Sequence, residues 1–149
     1  MKKFLILFII SIFILTGCEN KDEKTKSEYI AVKSNLLSAT NYIENLPLDI
    51  IVSIDRIDEE QIFYKVLFQN PIENMYQMKA MVVHNYNNQD VFPSIGVFDE
   101  TKDLLLDDET NSLELHGTIA SVKNISELDL KLKVWIEYQN DDGEKRNIY

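Results

Sequence analysis

LDLKLKVWIEY, from Leu128 to Tyr138, places an apolar side chain at every even position and a polar one at every odd position except Trp135. A period of two is the pleat of a strand with one face buried, which a helix of 3.6 residues per turn does not produce. Downstream, Asp142-Gly143 is a hairpin turn leading into a last strand over 144–149. Upstream, the same alternation recurs at Leu113, Leu115, Gly117 and Ile119, and at Tyr76, Met78, Ala80 and Val82. It recurs again at Ile62, Tyr64, Val66 and Phe68, ending at Asn70-Pro71, and at Leu48, Ile50, Val52 and Ile54. Pro93 and Gly96 interrupt the stretch from Val91 to Phe98, which predicts a short or edge strand there.

Seven short strands joined by polar turns predict a mainly β fold, an antiparallel immunoglobulin-like β-sandwich over 47–149. A small barrel is the alternative. With a single cysteine in 149 residues no internal disulfide forms, so core packing carries the stability.

Before the strands the pattern differs. Tyr29, Val32, Leu36, Ala39, Ile43 and Leu46 recur at steps of three and four, which predicts one amphipathic helix over 29–46, stopped by Pro47. A first strand or a linker competes with it. Residues 18–28 hold almost nothing apolar and alternate in charge, and are expected to be a flexible charged tether. Met1-Lys2-Lys3 precedes an apolar run from Phe4 to Leu15, broken by Ser11. Twelve helical residues reach roughly 18 Å, short of the roughly 30 Å hydrocarbon core, so 1–17 reads as a removed signal peptide.

Leu15-Thr16-Gly17-Cys18, at the end of that run, resembles the lipobox of bacterial lipoproteins. The resemblance implies cleavage before Cys18 and a diacylglyceryl group on its thiol. The partner it implies is the membrane, at the extracytoplasmic face of the cell. Two acyl chains suffice for stable anchoring, at about 0.8 kcal/mol per buried CH₂. Lysine outnumbers arginine 13 to 2, a bias that fits an AT-rich Gram-positive genome. The segment His84 to Glu100 loosely resembles segments of small Gram-positive surface lipoproteins, and that likeness implies no function.

The chain carries 15 basic and 25 acidic residues, and loss of Lys2 and Lys3 with the leader takes the net charge from −10 to −12. Such a surface repels phosphate backbones, so no nucleic-acid partner is expected. His84 shares the core parity of its strand and His116 the solvent parity, and they do not stand at metal-ligand spacing. Ser94 lacks the first glycine of a nucleophile elbow, and four glycines in the whole chain leave no phosphate loop. No enzyme, cofactor or metal is expected. The acidic stretch from Asp99 to Glu109 departs from the EF-hand order, so a solvated loop is preferred there to a calcium site.

Trp135 is the one tryptophan, and it falls on the outer face of its strand. Met81 and Val83 fall on the outer face of the third strand, which neighbours it in an immunoglobulin-like order. Together they predict an apolar patch that either binds another envelope protein or is covered by the 29–46 helix. The expected function is a lipid-anchored protein-binding module, with Cys18 as anchor and Trp135, Met81 and Val83 as contacts. Competing classes are a small-ligand or calcium-binding lipoprotein and the surface-exclusion lipoproteins of conjugative elements, although no motif specific to the latter is present.

Overall fold

The computed structural model describes residues 21–56, 60–86, 91–108, 111–120, 122 and 125–149. The leader and Cys18 lie outside them. Helix α1 (Lys21–Ser38) leads into β1 (Asp49–Arg56), β2 (Gln61–Gln69) and β3 (Met75–His84). The short β4 (Ser94–Ile95) and β5 (Lys102–Leu104) follow, then β6 (Leu113–Ala120), β7 (Leu132–Gln139) and β8 (Lys145–Ile148). One sheet runs β1-β2-β6. The other runs β4-β3-β7-β8, with β5 also on β3, and every pairing is antiparallel. This is the expected β-sandwich behind one helix, and its strand neighbours match the A-B-E and C-F-G sets of immunoglobulin-like domains.

The core lies between the sheets because the alternation read from sequence puts one face of β2 and β6 there, whereas of the β1 face read as core only Leu48 and Ile50 pack on it and Val52 and Ile54 are exposed. Along β2, Ile62, Tyr64, Val66 and Phe68 are fully buried. They meet Met78, Ala80 and Val82 of β3, Leu115 and Ile119 of β6, and Ile136 of β7. Each large aliphatic or aromatic side chain so buried stabilises the fold by about 1.5–3 kcal/mol. At the β7–β8 hairpin, Gly143 sits at φ +75°, a left-handed conformation that glycine adopts without a Cβ penalty.

The helix differs from expectation at both ends. It begins at Lys21, so the segment read as a flexible tether is helical from there on. Its alternating charges explain this: Asp22 and Glu23 stand in the first turn, where the helix dipole favours anions, and Asp22/Lys26 and Lys24/Glu28 are opposite charges four residues apart. The helix ends at Ser38 rather than running to Leu46. Ser38 Oγ bonds back to the carbonyls of Ser34 and Asn35, and Thr40 and Asn41 follow, residues of poor helix propensity. Ile43 and Leu46 are accordingly exposed.

Three differences concern strands. Leu128 and Leu130 precede β7 rather than belong to it, yet still pack on the core. Residues 102–104, expected in a solvated loop, pair with β3 and bury Leu104. Between Met75 and Met78 the ladder of β3 shifts register around Gln77, at φ +50°, whose N–H is taken by Asp103 Oδ1 at 2.8 Å. This bulge turns Tyr76 away from the core face that parity assigned to it.

Candidate functional site

Met81 and Trp135 are direct partners in the β3–β7 register, so the structure does bring the predicted patch together. It is not free. Met81, Val83 and Trp135 are 0–2% exposed beneath α1, in a second core with Tyr29, Leu36, Phe92 and Val97. The reading of these three residues as a partner-binding surface is therefore corrected to a helix-covered face, the other outcome the sequence allowed. Polar contacts hold the cover down. Tyr29 Oη accepts the Phe92 N–H at 2.7 Å, Glu28 pairs with Lys79, and Lys133 Nζ donates to the Leu37 and Ala39 carbonyls at 2.7 and 2.8 Å.

The two histidines, kept apart in the sequence reading, line one cavity of about 160 Å³ at the β6 edge. The register sets Tyr64 opposite Gly117, and His116 precedes that glycine on β6. His84 ends β3, its Nδ1 accepting the Tyr86 N–H at 3.2 Å, and its ring stands edge-on to Tyr64 and Phe92. His116 stacks on Phe63 at 5.2 Å and reaches Glu114 at 3.3 Å. Tyr64 is wholly buried, and its hydroxyl is the one buried side-chain polar atom among the described residues that lacks a hydrogen-bond partner. Burial pushes this hydroxyl up to about 12, with Tyr29 adding to the shift, so it stays a neutral donor. Sequence parity placed the two histidines on opposite faces. It could not show that β6 is a sheet edge, around which both faces line one cavity.

The acidic stretch is organised around backbone amides. Asp99 Oδ1 accepts the Gly96 N–H at 2.6 Å, and Asp103 Oδ1 is occupied by Gln77. Among the described residues no three His, Cys, Asp or Glu side chains are grouped to hold a metal ion.

Two of the exposed apolar surfaces among the described residues are broad enough to bear on binding. Beside the first half of α1, Ile30, Val91 and Phe98 flank a groove of about 600 Å³, with Tyr29 at its base. Among the described residues β1 pairs only with β2, which leaves its other edge open. Along that edge strand Ile51, Val52 and Ile54 are 38–46% exposed, and its charged residues, Asp49, Asp55 and Arg56, stand at its two ends. No described helix is long and apolar enough to cross a membrane. No family model matches the chain, and neither a characterised protein nor a solved structure is similar to it.

Proposed function

We propose that this chain is an extracytoplasmic lipoprotein, anchored by a diacylglyceryl group on Cys18, whose sandwich binds a second envelope protein along the open edge of β1. The lipobox resemblance supports the anchor.

The observation that carries the binding role is the β1 edge. Unpaired N–H and C=O groups beside exposed aliphatic side chains are what an extended segment of another protein adds to. A second copy of this chain is a poor occupant. In the antiparallel register centred on Val52, Asp49 of one copy faces Asp55 of the other, and in the register centred on Ser53, Asp55 faces Ile51. The net charge of −12 after cleavage adds repulsion between copies and favours a basic or neutral partner segment.

The test uses a photo-cross-linking side chain at position 51 in the anchored protein, with position 114, exposed on β6, as control. One envelope protein captured from 51 and not from 114, and lost in Ile51→Lys/Val52→Lys, supports the reading. Equal capture from both positions, or none, overturns it. Labelling with a radioactive fatty acid, abolished by Cys18→Ser, tests the anchor separately.

A further inference from the structure

The pleat of β1 sorts its residues into two rows, and a strand added at the open edge meets each row separately. Ile50 packs on the core, so Ile50, Val52, Ile54 and Arg56 form the row of the core face, and Asp49, Ile51, Ser53 and Asp55 form the outward one. Ile51 is exposed in the outward row, as are Val52 and Ile54 in the other. Aliphatic residues thus fill the middle of the edge, and the charges stand at its ends. The two aspartates share the outward row, six positions apart. On the same face of β2, opposite Ser53, stands Lys65, but its ammonium is drawn away from β1 to Glu114 of β6, at 3.3 Å. Asp49 accepts from the side-chain amide of Asn70 at 2.9 Å, a neutral donor that leaves the carboxylate its charge.

Given that β1 is the binding edge, we infer that the partner segment adds to it as an antiparallel strand with basic residues opposite Asp49 and Asp55 and apolar residues opposite Ile50, Ile51, Val52 and Ile54. Opposite charges facing each other across two strands stabilise the pairing, and like charges oppose it. The basic pair also fixes the register. A slip of two positions sets one of the pair opposite Ile51 or Ser53 and carries the other beyond the strand, and a slip of one exchanges the two rows. Antiparallel addition continues the pairing of β1 with β2 and is the more stable of the two per residue. Past the basic residue that faces Asp55, the segment carries an acidic one opposite Arg56.

The test uses the full chain in lipid nanodiscs, with empty nanodiscs as blank, and two fluorescent peptides whose binding is read by polarisation. The first reads Glu-Lys-Ile-Thr-Val-Val-Ile-Lys from its N-terminus, and the second has glutamate in place of both lysines. The first is expected to bind about tenfold more tightly, the factor set by two cross-strand charge pairs. Most of that advantage should vanish in about 0.5 M salt. Asp49→Lys/Asp55→Lys is expected to reverse the preference. A photo-cross-linking side chain at position 51 is expected to attach to the sixth residue of the first peptide. Attachment to the fourth, its place in a parallel strand, overturns the alignment. Equal affinity of the parent protein for the two peptides overturns the charge-set register, with no variant needed. If neither peptide binds while position 51 captures an envelope protein in cells, the segment chemistry falls and the edge-binding function stands. If position 51 captures nothing either, both fall.

Discussion

Tyr64 lies across Gly117, its register partner on the neighbouring strand, so closely that a Cβ at residue 117 would fall 2.3 Å from Tyr64 Cζ. Glycine inside a strand ordinarily weakens it. Here it makes room for a fully buried aromatic ring of the core. Gly117→Ala should force Tyr64 out of its place and destabilise the protein by about 1–3 kcal/mol, the usual cost of overpacking. Urea unfolding would show a lower midpoint with an unchanged slope. An unchanged midpoint would mean that the ring and β6 separate freely.

The same tyrosine gives the fold a pH limit. Its folded-state value of about 12 stands above the ordinary 10.0, so folding favours the protonated hydroxyl. The stability linked to it is complete below pH 10 and declines as pH rises from 10 through about 12, by up to about 1.4 kcal/mol per pH unit. Tyr138 is pushed the same way, by burial and then by its hydrogen bond to Glu73, and contributes to the same decline. The part due to Tyr64 is the difference between the parent protein and Tyr64→Phe. That difference should be flat up to pH 10 and change in favour of the phenylalanine variant above it.

Trp135→Ala should cost about 3–5 kcal/mol, as for other buried large-to-small changes, and Leu36→Ala in α1 about 2–5 kcal/mol. Both residues belong to the core beneath the helix. The two losses should therefore fail to add, because the first cavity already loosens the packing that the second removes. A double-mutant cycle followed by thermal unfolding measures this. Strict additivity, or a Leu36→Ala variant as stable as the parent, would mean that α1 is not part of the cooperative fold.

The two cores were legible from sequence to different degrees. The inter-sheet core follows from period-two alternation, which fixes the buried face of a strand once a partner sheet exists, and so β2 and β6 read correctly, and β7 from Leu132 on. Tyr29, Val32 and Leu36 were likewise placed on one helical face, and that face does cover Trp135. The helix bounds were missed because the charge pairs of 22–28 lengthen the helix without any apolar signal, whereas Ile43 and Leu46 carry the apolar period without the propensity. The bulge at Gln77 was missed because its cause, Asp103, lies 26 residues away. The cavity was invisible for a similar reason: Tyr64, His84 and His116 come from three strands, and only the pairing of β2 with β6 and the packing of the β3 sheet against them make them neighbours.

Lys133 gives a last consequence of that pairing order. α1 has no basic residue in its final turn, where unpaired carbonyls concentrate negative charge. β7 supplies one: Lys133 Nζ donates to the carbonyls of Leu37 and Ala39 at 2.7 and 2.8 Å. A strand residue thus caps the helix that lies over it, and the lysine next to it in outer-face parity, Lys131, pairs instead with exposed Asp129. Lys133→Met keeps much of the stem and removes the charge. It should destabilise the protein by about 0.3–1 kcal/mol, the range for a charge at a helix end. Amide hydrogen exchange should quicken over 35–39 and stay unchanged around Tyr29. Lys131→Met should do neither, since exposed ion pairs contribute little. Equal exchange in the two variants would leave the C-terminal end of α1 held by packing on Leu36 alone.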